Sequence, residues 1–157
     1  MATVSLPIGT PAVRGYLFHA YPLSILAGHG NAHLPWLYTS FVQLYQLPPW
    51  DLKFYLQPFS PGPDIRHAYV STCPWLDIQS IDQSLVTRLV PLSTFLQHAL
   101  DRGLYPQIDV DYGWLPDRPR SPSLHEILIH GYDGGRRLFS MTAYDGRGRF
   151  RPRLVSF

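Results

Sequence analysis

Two runs of period-two alternation, separated by Asp133-Gly134-Gly135, set the strongest limit on what this chain folds into. In the first run Leu124, Glu126, Leu128 and His130 share one side, and His125, Ile127 and Ile129 share the other. That is the pattern of a strand with two different faces. The second run, Leu138 to Tyr144, follows the diglycine, whose backbone freedom suits a tight hairpin turn. Upstream, Leu92, Phe95, Leu96, Ala99 and Leu100 recur at helical spacing and predict an amphipathic helix. Arg102 in its last turn and Gly103 beyond it are stop signals. Ile108 to Asp111 alternates again, so the predicted order from Pro91 to Tyr144 is helix, strand, then a meander of antiparallel strands.

The first half is harder to parse. Residues 1–12 read as an extended arm and Val13 to Phe18 as a short strand. A helix is expected from His19 to His29, with Pro22 in its first turn, where a missing N–H costs nothing. A second is expected from Pro35 to Tyr45, stopped by Pro48-Pro49. A weak strand over Leu52 to Leu56, a loop over Gln57 to Asp64 and a strand over Ala68 to Thr72 follow. Ser80 or Asp82 caps a helix running towards Leu89. Sixteen prolines and twelve glycines imply many short elements joined by rigid turns. With 157 residues, 45% hydrophobic content and no linker or repeat, the chain reads as one α+β domain, 1–157. No run approaches the ~20 apolar residues of a membrane span. The N-terminus lacks the basic start and apolar core of a secretory signal, so a cytoplasmic protein with no membrane partner is expected.

The helix ending at Ala99-Leu100, the strand Ile108-Asp109-Val110-Asp111 and the histidine that opens HEILIHGYD resemble the second half of papain-like bacterial cysteine peptidases. Two branches are similar: the leader-peptidase domain of bacteriocin exporters and the butirosin-biosynthesis acyltransferase type. The resemblance covers roughly residues 85 to 157 and only loosely the rest. It implies a papain-like fold, with N-terminal helices packed on a C-terminal antiparallel β-sheet, and makes His125 the catalytic base. It also implies a nucleophilic cysteine at the head of a buried helix, whose dipole lowers the thiol pKa. Here Phe18, His19, Ala20 and Tyr21 stand at that place and the cysteine is missing. The family's third triad member falls in register on Ala143, with Asp145 expected on the opposite face unless the strand bulges. Thr10 to Phe18 holds no glutamine for an oxyanion donor, so ordinary cysteine proteolysis is not expected.

Each remaining candidate has a plain structural reading beside the functional one. His125 is either a base lining a cleft or a hydrogen-bonded core histidine. Cys73, the only cysteine, precedes Pro74 and is more naturally a small buried apolar residue than a nucleophile. His29 and His33 have metal-ligand spacing, but Gly28, Gly30 and Asn31 interrupt any helix there, and neither a metal nor a cofactor is expected. Asp109 and Asp111 share a strand face beside His125 or simply face solvent. Tyr16, Tyr21, Trp36 and Tyr38 line a pocket for an acyl or peptidyl group or pack a core. Six of the twelve arginines crowd the last 22 residues, as an anion or nucleic-acid patch or, the plainer reading, as the charged outer face of an edge strand. Nucleic acid is not an expected partner.

Two functions follow from the resemblance. One is an accessory protein of nonribosomal-peptide or polyketide biosynthesis that binds a peptidyl or acyl intermediate, carrier-protein-bound or presented by a megasynthase, in a degenerate papain-like cleft. Tyr16, Trp36, Asp111 and Tyr144 would bind that substrate. The other is an acyl-transfer, condensation or cyclisation enzyme that needs no cysteine. Its His125 would be the general base, and His19 or Tyr21 a second proton-transfer group.

Overall fold

A computed structural model describes residues 2–14, 17–41, 43–47, 51–55, 73–111, 113, 124–145 and 147–156. In chain order these form β1 (Thr3–Ser5), α1 (Leu17–Gly28), α2 (Leu34–Trp36), a π-helical turn (Leu37–Phe41), β2 (Gln43–Leu47) and β3 (Asp51–Tyr55). There follow α3 (Gln83–Leu89), α4 (Leu92–Asp101), β4 (Gln107–Asp111), β5 (Leu124–Asp133), β6 (Leu138–Tyr144) and β7 (Phe150–Ser156). The class is α+β with an antiparallel sheet. The chain divides into two compact units, Ile8–Ser80 and a second made of Met1–Pro7 with Ile81–Phe157.

In Ile8–Ser80 the organising element is α1, in which Ala20, Tyr21, Leu23 and Ser24 are fully buried. The helix starts at Leu17, so Pro22 lies inside it rather than in its first turn, and the strand expected over Val13 to Phe18 gives way to helix at Leu17. Leu17, Ala20, Tyr21 and Ser24 are all buried, and their three- and four-residue spacing gives a helix a buried stripe where a strand would have none. The arm lies close against α1: Gly9 N donates to Ser24 O at 2.9 Å, and a Cβ at Gly9 would stand 2.6 Å from the Ala27 carbonyl carbon. Leu23, Leu26, Trp36, Leu37 and Cys73 form this unit's core.

The helix expected from Pro35 to Tyr45 is a correction. It is one turn of α-helix with a proline at its start, then a π-turn in which the Thr39 hydroxyl donates to Pro35 O at 2.7 Å. That back-bond competes with a straight helix. From Gln43 the chain is strand, paired in register with β3 from Gln43↔Tyr55 to Leu47↔Asp51. The loop and strand expected over 57–72 lie outside the described residues.

In the other unit α3 is capped as expected, by the Asp82 carboxylate accepting from Ser84 N at 2.7 Å. The next helix, α4, runs to Asp101, with Gly103 just beyond it at φ +75. Its apolar face (Leu92, Phe95, Leu96, Leu100) packs on Ile127, Ile129, Tyr132, Phe139, Met141 and Ala143 of the sheet. A fully buried Leu or Ile stabilises by about 1.5–3 kcal/mol, so this cluster is the main cohesive force of the unit.

The sheet order is β1-β5-β6-β7, with β4 also pairing with β5. One edge of β5 thus serves two neighbours: β4 along Leu124 to Leu128, and β1 along Gly131 to Asp133. Between Ile129↔Met141 and Gly131↔Ser140 the register slips by one residue, a β-bulge at His130. The slip returns Tyr132 to the core side, opposite Phe139, where uninterrupted alternation would have turned it outward. Gly131 is needed because a Cβ there would stand 2.6 Å from the Val4 carbonyl oxygen. In the β5–β6 turn it is Arg137, at φ 55, and not the diglycine, that takes the left-handed conformation. The Asp133 carboxylate fixes the turn by accepting from Gly135 N at 2.9 Å and Arg136 N at 3.0 Å.

Candidate functional site

His125 lies near the start of β5, opposite Val110, on the side that carries Ile127 and Ile129. It is half-buried, and its Nδ1 is 3.4 Å from the Glu126 carbonyl oxygen.

Asp145, just past the end of β6, is on the same side of the sheet. Its Oδ2 stands 3.7 Å from Arg151 Nε, and Arg151 pairs with Ala143, whose side chain belongs to the core face. The expectation that Asp145 lies on the face opposite Ala143 is therefore corrected: two residues apart on an extended chain share a face. Continued past its last pair, Leu128↔Thr142, the β5–β6 register runs towards His125 and Asp145 on adjacent strands.

The Asp145 carboxylate is heavily engaged. Its Oδ1 accepts from Arg147 N at 2.9 Å and Arg149 N at 2.8 Å, and its Oδ2 from Arg149 Nε at 2.7 Å. These bonds, with the Arg149 backbone contact foremost, hold its pKa down to about 2 although it is buried. They shape the turn that launches β7.

Asp111 is not beside His125. Register places it opposite Leu124, on the other face, and its carboxylate accepts from Gly113 N at 2.9 Å. Tyr144 is also on that other face, paired across the strands with Phe150 in an edge-to-face contact at 5.5 Å. Leu128, His130 and Thr142 continue this side and are buried. Burial pushes the His130 imidazole pKa down against an opposing hydrogen bond with the Met141 backbone, which favours the neutral ring.

His19, Tyr21 and Trp36 belong to the unit Ile8–Ser80, and all three are buried. Tyr16 lies outside the described residues. Tyr38 is mostly exposed and lines no core. Ser24, two turns into α1, donates its hydroxyl to Ala20 O at 2.6 Å. Cys73 is buried among Leu23, Leu26, Trp36 and Leu37, and burial pushes its thiol pKa up, the reverse of nucleophile activation. His33 Nδ1 is 3.0 Å from Gly30 O. Among the described residues no group of three or more His, Cys, Asp or Glu could hold a metal ion, and no helix is long and apolar enough to cross a membrane.

Sequence reasoning named Asp145 but set it on the wrong face, which a two-residue count from Ala143 would have put right. No protein-family model, curated protein or solved structure matches the chain.

Proposed function

We propose that the protein is an accessory component of nonribosomal-peptide or polyketide assembly, built on a degenerate papain-like fold. In this reading it holds a peptidyl or acyl chain beside His125 without capturing it covalently. The observation that carries the reading is the state of the only thiol. Cys73 is buried with a raised pKa, while α1 opens with Leu17, Phe18 and His19 instead of a cysteine. A chain that keeps a strand-opening histidine and a carboxylate on one sheet face, yet offers no activated sulfur, suits binding better than turnover.

One observation favours a second reading. His125 on β5 and Asp145 just past the end of β6 lie on one side of the sheet, an imidazole and a carboxylate that an enzyme would use together. Incubation with a decanoyl-N-acetylcysteamine thioester, followed by calorimetry and mass spectrometry, separates the two. Saturable binding, unchanged by Cys73→Ser and without thioester loss, is the expected result. Thioester cleavage abolished by His125→Ala would establish the enzyme reading, and failure to bind at millimolar concentration would remove both.

A further inference from the structure

Charge in this chain is segregated. The last 22 residues hold six arginines against the single Asp145, a formal +5, while the first 135 hold seven basic against ten acidic residues, a formal −3. Within the positive segment, geometry selects three guanidinium groups. Arg149 and Arg151 both turn Nε towards Oδ2 of Asp145, at 2.7 and 3.7 Å. Their side chains are 46% and 51% exposed, whereas that of Asp145 is 3% exposed, so the carboxylate lies beneath them. A guanidinium held through Nε keeps both Nη groups, four of its five N–H donors, for another acceptor. Arg147 is exposed at the tip of the same turn, and only its backbone N–H is used to hold the turn.

We propose that the β6–β7 turn is a recognition site for the phosphoryl group of a small phosphomonoester. Arg149, just ahead of β7, and Arg151 on it grip the group, and Arg147 closes on it from the tip. Three guanidinium groups less one carboxylate leave a local formal +2, the complement of a phosphomonoester, which carries about −1.5 to −2 at pH 7. The three terminal oxygens of that group match several forked donors, where a single carboxylate would satisfy one fork. Asp145 acts as a positioning residue: its hydrogen bond orders the Arg149 guanidinium and its charge draws in that of Arg151 before any ligand arrives, which lowers the entropic cost of binding. This site does not rest on the function proposed above, although Asp145 figures in both.

The test is titration of the isotope-labelled protein, at low ionic strength, with inorganic phosphate, phenyl phosphate and hexaglutamate in separate arms. Backbone amide resonances of Arg147, Gly148 and Arg149 are followed. Both phosphates are expected to give saturable shifts there, with phenyl phosphate the tighter if the natural ligand is an ester and inorganic phosphate if it is the free ion. Phenyl phosphate binding should strengthen as pH rises through about 6, where a phosphomonoester takes its second charge. Arg151→Ala and Arg147→Ala should each weaken it about five- to tenfold, the size of one charge-assisted contact, while Arg88→Ala on α3 leaves it unchanged. Because Arg147 contributes no side chain to the turn, its variant stays informative even if Arg151→Ala disturbs the hairpin. Shifts that never saturate, equal weakening by Arg88→Ala, or binding of hexaglutamate without phosphate would each overturn the proposal. The last would mark the turn as a surface for an acidic protein.

Discussion

The Tyr132 hydroxyl donates to Asp101 Oδ1 at 2.8 Å, joining the far half of β5 to the C-terminal end of α4. This bond raises the Tyr132 pKa, since ionising the phenol would set two anions side by side. A raised pKa means that the stabilisation is complete below the unfolded tyrosine value near 10 and is lost as pH climbs through the folded one. Tyr132→Phe should therefore destabilise by about 1–2 kcal/mol at pH 7 in chemical denaturation, and the variant and parent curves should converge in strong alkali.

Asp145 gives the opposite sign. Its folded pKa of about 2 lies below the ordinary carboxylate value, so its contribution is present above pH ~4 and disappears as pH falls towards 2. Thermal melts between pH 2 and 5 should show an acid limb in the parent that Asp145→Asn flattens, together with earlier hydrogen exchange at the Arg147 and Arg149 amides.

At Gly131 any side chain meets the Val4 carbonyl. Gly131→Ala should peel β1 from β5, at a cost of about 1–3 kcal/mol, the usual range for forced overpacking. Selective loss of exchange protection at Val4 and Ser5, with the β6–β7 amides unchanged, is the measurement that checks it.

Ile129 and Leu124 occupy one strand with opposite fates, 1% and 79% exposed. Ile129→Ala should cost about 2–5 kcal/mol through the cavity it leaves, while Leu124→Ala should stay within about 0.5 kcal/mol of parent. Equal losses in urea titrations would show that the core has been misassigned.

Much of the second half was legible because periodicity and stop signals agreed there: α4, its Gly103 terminator, β4 and the β5–β6 pair all follow from patterns in the residues. The bulge at His130 was not, because a register slip leaves no mark in a string of apolar residues. Asp111 was misplaced since period two says which residues share a face but not which face a neighbouring strand's histidine takes. The first half misled at Pro35 to Tyr45, where aromatic and branched side chains fit helix and strand alike and pairing with β3 decided the outcome. The candidate site was harder still. His125 stood out through resemblance alone, while Asp145 shows its role only through the arginines that fold back onto it.

The single added residue at His130 carries a wider consequence for how this sheet tolerates change. Because it alone brings the last part of β5 back into phase with α4, a deletion there would send Tyr132 outward and leave the helix end without its anchor, though every apolar residue remained. Shortening by one would thus harm this strand more than most substitutions within it.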